Sequence, residues 1–323
     1  MYKVTIGVTT YKNRINFLND CIVSILNQKY QNFKVIIAND SPEFPISENS
    51  LNLNLDKRVT IINNNKNIGE EKNLNKLLNL CETPWFTWLA DDDFLHPDFL
   101  SSKINFLENS KEKNIVAIYS NFKKVNGYSK EFFNNKTINN FKIYNKKLFH
   151  ELFFQRKISC IGVYGLINTE YLKKINGIKK LGNSYGPFSD VLVPLALSKY
   201  GNISWTPDCL CFFRMHKDSL SETNNYDAFY SAKMDFIREY YIQFKGNIED
   251  IDIKRNLFYF NLWFINSIFQ ILKRDKSKSI FSKCRMLLNF KSNLFYKDIS
   301  IIMILRILFY IFKLFIMLIL RYK

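Results

Sequence analysis

The chain switches between two hydrophobic periods. Short apolar runs at Val4–Thr9, Val35–Ala38, Val59–Ile62, Trp85–Ala90 and Ile115–Ser120 are separated by stretches whose apolar residues recur every three or four positions. The runs have the length and composition of buried strands, and the spaced stretches read as amphipathic helices. Arg14–Gln28 puts Ile15, Leu18, Cys21, Ile22, Ile25 and Leu26 on one helical face, Glu70–Leu80 does the same with Leu74, Leu77 and Leu78, and a third helix is predicted from about Pro97 to Asn109. Strand and helix in alternation predict an α/β fold, a mainly parallel central sheet flanked by helices and joined by right-handed crossovers. Ligands of such sheets bind beyond the carboxyl ends of the strands. Thr9-Thr10-Tyr11, Asp40 and Asp91–Asp93 each close a predicted strand, so the topology gathers them at one crevice.

After residue 120 the pattern loosens. Asn121–Phe141 is polar and reads as a loop excursion, Ile158–Asn168 as a glycine-punctuated strand, Ser189–Tyr200 as a helix and Cys209–His216 as a strand. Residues 43–57 read as polar loop or weak helix. Two long helical patterns follow, roughly Asp227–Phe244 and Ile253–Leu272, and Ile299–Leu320 is almost wholly Ile, Leu, Phe and Met.

Charge changes the reading of that tail. The formal net charge is +17, and residues 245–323 hold 15 Lys/Arg against 5 Asp/Glu. The cations are interleaved with Ile, Leu and Phe instead of forming a polar basic arm, which points to an anionic membrane surface and away from nucleic acid. Arg306, Tyr310 and Lys313, spaced four and three apart, fall on one stripe of a helix. That suits a helix lying in the headgroup region with its cations snorkelling; a tilted span and a buried or oligomer-forming helix are the alternatives. The six cysteines (21, 81, 160, 209, 211 and 284) form no CxxC pair and suit a reducing compartment. The first residues carry no signal-peptide pattern. Three histidines exclude a His-rich metal site, and 30 Phe with 18 Tyr exclude a disordered chain.

The densest chemistry is Trp85-Phe86-Thr87-Trp88-Leu89-Ala90-Asp91-Asp92-Asp93-Phe94-Leu95-His96-Pro97-Asp98, a strand that empties into three carboxylates. Adjacent like charges repel unless a cation sits among them. Mg²⁺ and Mn²⁺ take one or two protein carboxylates together with substrate phosphate oxygens.

The ordered set of segments resembles glycosyltransferase family 2, over about residues 3–220. Val4-Thr5-Ile6-Gly7-Val8-Thr9-Thr10-Tyr11 resembles its opening strand and nucleotide loop, Ser24-Ile25-Leu26-Asn27-Gln28 its first helix end, and Val35-Ile36-Ile37-Ala38-Asn39-Asp40-Ser41 its second strand. Asn67-Ile68-Gly69 with Lys72-Asn73 is similar to its glycine loop, Leu89-Ala90-Asp91-Asp92-Asp93 to its DXD-type segment, and Arg214-Met215-His216 with Ser219 and Ser221 to its late Arg-x-His segment. The chain departs from the commoner pattern by carrying Ala90 at the first acidic position and Ser189-Asp190 where Glu-Asp is usual.

The resemblance implies an A-type glycosyltransferase fold and an inverting transfer from a nucleotide sugar. It places Thr9, Tyr11, Asp40, Lys72 and Asp91 around the donor nucleotide, Tyr11 as a stacking face and Asp40 as acceptor for a pyrimidine N–H. Asp92 and His216 would hold Mn²⁺ or Mg²⁺, with Asp93 and Arg214 in support, the split of roles among Asp91, Asp92 and Asp93 being open. Asp190, at the head of a helix, would be the base that deprotonates the acceptor hydroxyl. The chain then divides into a catalytic domain, 1–222 (nucleotide half 1–120, acceptor half 121–222), a helical extension, 223–296, and a basic apolar tail, 297–323, expected to form an amphipathic membrane-associating helix. The expected function is sugar transfer, from a UDP-sugar by preference, to a growing lipid-linked glycan of surface polysaccharide at the cytoplasmic face of the membrane. A non-catalytic glycan-assembly scaffold and a nucleotide-sugar nucleotidyltransferase are the competing readings.

Overall fold

The computed structural model describes residues 3–51, 56–133, 140–182, 188–216 and 226–274, together with isolated positions beyond 274. Its centre is one nine-stranded sheet, with β1 Val4–Thr10, β2 Phe33–Asn39, β3 Val59–Asn63, β4 Trp85–Ala90, β5 Phe94–Leu95, β6 Ile115–Val125, β7 Lys142–Tyr144, β8 Leu166–Asn168 and β9 Asn202–Arg214. The order is β3-β2-β1-β4-β8-β6-β9-β5, with β7 on β9. β3, β2, β1 and β4 pair in parallel, as the alternating pattern requires. Beyond β4 the sheet is mixed: β8 is antiparallel to both β4 and β6, β6 runs parallel to β9, and β5 and β7 are antiparallel to β9.

Side chains alternate across each strand, so each face has its own core. Val35 and Ile37 join Val4, Ile6, Val8 and Leu89 under α1 (Ile15–Leu26) and α3 (Phe99–Asn109). Ile36, Ala38, Phe86 and Trp88 face the other way, toward α2 (Glu70–Asn79), α4 (Lys146–Phe154) and α6 (Ser189–Leu197). A short α5 (Thr169–Lys174) follows β8. The long helices α7 (Tyr226–Phe244) and α8 (Asp250–Arg274) complete this second core: Phe236, Tyr240, Phe260 and Phe264 belong to the same cluster as Trp88, Tyr119 and Ile167. The helical extension is therefore built onto the sheet through a shared interior.

Three expectations change. Residues 121–125 are not loop but the end of β6, paired with β9 as far as Val125 opposite Arg214 across a bulge at Asn121. The strand predicted over Ile158–Asn168 is confined to Leu166–Asn168, because 158–165 is shaped by close packing: Gly165 lies against the Tyr119 ring and Gly162 against the Asp190 carbonyl. Cys209–His216 is the second part of a longer β9 that begins at Asn202. α4 was not predicted, although its cap was readable: the Asn145 side chain accepts the Leu148 N–H at 3.0 Å.

Ser219, Ser221, Cys284, Arg306 and Tyr310 lie outside the described residues, as does most of 297–323. The described positions there, Leu305, Leu308, Phe309, Phe312, Lys313 and Ile316, are helical and exposed. Among the described residues no helix is long and apolar enough to cross a membrane.

Candidate active site

Sheet register assembles the first wall. β1 lies between β2 and β4, with Thr10 opposite Asn39 and Thr9 opposite Ala90, so the next residues of the outer two strands, Asp40 and Asp91, flank the end of β1. The Asp40 and Asp91 amides bond to the Thr10 and Thr9 carbonyls at 2.9 and 3.1 Å. Asp40 is buried, and its carboxylate accepts the Ile68 and Gly69 N–H groups, both at 2.8 Å, and Asn64 Nδ2 at 2.9 Å. Gly69 has φ +86, a backbone that L side chains rarely adopt, and it opens α2. A carboxylate offers about four acceptor positions, so three bonds to its own loop leave Asp40 one for a ligand. Tyr11 is exposed at the mouth with Lys12 over its ring at 5.6 Å, and Thr9 is half-buried beside it. Lys72 is exposed on the first turn of α2, and no hydrogen bond or ion pair ties it to the other site residues among those described.

The three consecutive aspartates separate. Asp91 turns inward: Thr10 Oγ1 donates to it at 2.6 Å and Arg14 Nη1 lies at 3.5 Å. Burial and the neighbouring Asp92 charge push its carboxyl up to about 6. Asp93 also turns inward, accepting the Tyr164 hydroxyl and the Arg214 N–H (2.8 Å), and burial pushes its carboxyl well above the ordinary range. Asp92 alone keeps an outward carboxylate, 2.8 Å from His216 Nε2 and 3.3 Å from Arg14 Nη1. His216 packs against Phe17 at 4.8 Å, and its Nδ1 is buried without a hydrogen-bond partner among the described residues. Arg214, buried between Phe17 and Phe94, reaches Asp20 Oδ2 at 2.9 Å.

Among the described residues no three His, Cys, Asp or Glu side chains converge on one point. Asp92 and His216 instead offer one carboxylate and one imidazole. That donor set fits a Mg²⁺ or Mn²⁺ ion whose remaining ligands come from a diphosphate and water.

Asp190 lies in the first turn of α6, away in sequence from the strand ends. Phe188, at φ +75, caps α6, and the backbone amides of Gly162, Val191 and Asp190 itself act to lower the Asp190 carboxyl against the burial that raises it. Pro194 lacks the N–H that would bond the Asp190 carbonyl four residues back, and Gly162 fills that space: a Cβ on it would lie 1.7 Å from the carbonyl oxygen. Burial raises the Asp190 carboxyl above its ordinary value, toward the range of a general base. Glu70, at the start of α2, has its carboxyl raised by burial and by the charges of Asp190 and Asp92.

The structure thus brings together Asp40, Asp91, Asp92, Asp93, Arg214 and His216, and Glu70 feels the charges of both Asp92 and Asp190. Sequence reasoning missed Thr10 as a partner of Asp91, and also Arg14, Glu70 and Tyr164. Arg14 and Glu70 stand next to recognised loops and were within reach; Tyr164 is 71 positions from Asp93 and had no local signal.

A family model described as Glycosyl transferase family 2 matches residues 5–175. An "Uncharacterized glycosyltransferase" of Haemophilus influenzae is 25% identical over 293 residues, 86% of this chain and 82% of that protein. "Uncharacterized glycosyltransferase MJ1057" of Methanocaldococcus jannaschii is 26% identical over 181 residues, which span 55% of this chain and 60% of its own length. Among solved structures, S. aureus TarS 1–349 in complex with UDP-GlcNAc superposes with a TM-score of 0.61 at 14% identity, covering 89% of this chain and 80% of that one. Mannosyltransferase PcManGT from Pyrobaculum calidifontis, in complex with GDP-Man and Mn²⁺, gives 0.53 at 14% identity, covering 92% and 82%.

Proposed function

Since this chain belongs to glycosyltransferase family 2 and is a glycosyltransferase, we propose that it carries out a divalent-metal-dependent, inverting transfer from a UDP-sugar to a hydroxyl of a growing glycan. The observation that carries the proposal is the sorting of the aspartates. Asp91 and Asp93 are held by internal partners, while the Asp92 carboxylate pairs with the His216 imidazole.

Asp40 and the strand-end loop hold the pyrimidine, Tyr11 offers it a stacking face, and Thr9 lines the ribose side, with the inward Asp91 beneath it fixing Thr10 and Arg14. Asp92 and His216 would hold the metal, which neutralises the leaving diphosphate when bound. Asp190 takes the proton of the acceptor hydroxyl as that oxygen forms its bond to the anomeric carbon. The bond from that carbon to the diphosphate breaks in the same displacement, and the nucleoside diphosphate leaves with its electrons. One base and one displacement invert the anomeric centre. UDP as the nucleotide is supported by the Asp40 position and by the UDP-GlcNAc held by TarS.

The acceptor is proposed to be lipid-linked, a step of surface-polysaccharide assembly at the cytoplasmic leaflet. Support comes from the cations of residues 245–323 and the exposed apolar positions Leu305, Leu308, Phe309 and Phe312. Flotation with phosphatidylglycerol vesicles and not with phosphatidylcholine is the expected result; equal behaviour with both removes the electrostatic part of the proposal.

The deciding experiment is thermal unfolding across UDP, GDP, dTDP and CDP, with and without Mn²⁺, repeated for Asp92→Ala. A nucleotide at 100 times its Kd stabilises the fold by about 2.7 kcal/mol, a shift of several degrees. The expected result is a UDP shift that needs Mn²⁺ and vanishes in Asp92→Ala. A folded protein insensitive to every nucleotide overturns the proposal.

A further inference from the structure

Three non-glycine residues on the acceptor side hold left-handed backbone, Arg156, Asn176 and Phe188, and Arg156 and Phe188 both meet Trp263. Arg156, at φ +62, ends α4: its N–H bonds to the Phe153 carbonyl at 3.0 Å, and the Lys157 and Ile158 N–H groups return to the Leu152 carbonyl at 2.9 and 3.3 Å. Glycine is the ordinary occupant of a helix-ending turn of this kind. An L side chain there costs about 1 kcal/mol. A strained position that keeps a large charged side chain asks what that side chain does.

The Arg156 guanidinium sits over the Trp263 ring of α8, 4.3 Å from its centre. Arg156 as a residue is exposed, its guanidinium is partly desolvated against the indole, and it has no hydrogen bond or ion pair from its side chain among the described residues. Trp263 stands edge-on to Phe188, 5.6 Å away at 82°, and left-handed Phe188 lies two positions before Asp190. Arg156 and Asp190 each feel the other's charge. A guanidinium braced on an indole is fixed in direction and keeps its N–H edge for a planar oxyanion. Asp92 and Asp190 both act on Glu70, and together these carboxylates would repel an anionic acceptor unless a fixed cation received it.

We propose that Arg156, held over Trp263, whose ring meets Phe188 two positions before Asp190, anchors the acceptor subsite by binding an oxyanion carried by the acceptor glycan, a phosphate ester or a uronic carboxylate. This gives the helical extension a part in acceptor choice through Trp263, and it rests on the reading of Asp190 as the base.

The test uses the full chain and three probes: glycerol 3-phosphate, the methyl glycoside of glucuronic acid, and methyl glucoside as the neutral control. Each is titrated by tryptophan fluorescence with and without UDP, beside the UDP thermal shift. Charge-assisted hydrogen bonds predict that at least one anion binds about ten-fold or more tightly than the neutral sugar. Which anion wins names the group on the acceptor. Arg156→Gly, which relieves the backbone, is expected to fold at least as stably, keep the UDP shift and bring the preference to about one. Trp263→Phe is expected to remove the fluorescence change. No anion preference in the wild type, a preference that survives Arg156→Gly, or a fluorescence change that survives Trp263→Phe overturns the inference. A wild type that ignores UDP overturns the donor-site reading instead, and the anion preference is still read without UDP.

Discussion

The strand-end region proposed to hold the donor and the Asp190 region proposed to meet the acceptor are built by different means. On the donor side, backbone does the placing: three parallel strands end in register, and Asp40 is stitched to the α2 loop by two amide N–H groups. On the acceptor side, Asp190 is positioned by contacts between distant segments. Gly162 fits against its carbonyl, and a cluster of Phe188, Phe236, Phe260 and Trp263 from three helices supports its helix. Strand-end geometry depends on local pairing and tolerates varied sequence, whereas the aromatic wall depends on which side chains meet.

The largest expected effect separates the two sides at the chemistry. Asp190→Asn keeps the shape of the site and removes the base, so transfer should fall by about 10²–10⁴-fold. The UDP thermal shift should stay where it was. If transfer survives, the base lies elsewhere, and Glu70, whose carboxyl feels the Asp190 charge, is the next candidate.

Next is the pH dependence of the acceptor-side core. His150 is buried between the Tyr240 hydroxyl (2.9 Å) and Ser198 Oγ (2.8 Å), and desolvation pushes it down to about 3. The unfolded chain takes up this proton near pH 6.5 and the folded chain does not. The contribution of His150 is therefore complete above about pH 6.5 and is lost as the pH falls from there toward 3, by roughly 3–5 kcal/mol. Denaturant unfolding at pH 7, 5 and 4 should show a steeper loss for wild type than for His150→Gln. Parallel curves would mean that His150 is protonated in the folded state.

A smaller effect is expected on the donor side. Asp40→Asn puts an amide N–H where the carboxylate accepts from Gly69, so donor faces donor, at a cost of about 1–3 kcal/mol. Unlike Asp190→Asn, it should also weaken the UDP shift. A variant with full UDP binding would show that the carboxylate serves only the loop.

The same division explains what was legible in the sequence. β1 to β4 and α1 to α3 could be read because each has its own period, and the strand ends then located Asp40 and Asp91–Asp93. The different fates of the three aspartates could not be read. They depend on Thr10 and Arg14 at one end of the chain and on Tyr164, Arg214 and His216 far along it. The end of β6 was hidden because Lys123 and Lys124 look like loop, yet pairing with β9 continues through them. Asp190 was placed by family resemblance, while Arg156 and Trp263, 107 positions apart, meet only in the folded chain.

The smallest expected effect tests whether backbone conformation alone governs the donor loop. Gly69 and Gly127 both have open space where a Cβ would go, with nothing within 4 Å, but only Gly69 has positive φ, +86. Gly127→Ala should therefore leave stability within a few tenths of a kcal/mol. Gly69→Ala should cost about 1–2 kcal/mol from conformation alone. The Gly69 N–H is one of the groups that orient Asp40, so a loop that relaxes to accommodate alanine turns the carboxylate. The UDP shift should then fall in Gly69→Ala and not in Gly127→Ala. Equal stability of the two variants would mean that the loop relaxes without strain, and equal UDP shifts would mean that Asp40 is held by Ile68 and Asn64 without help from Gly69.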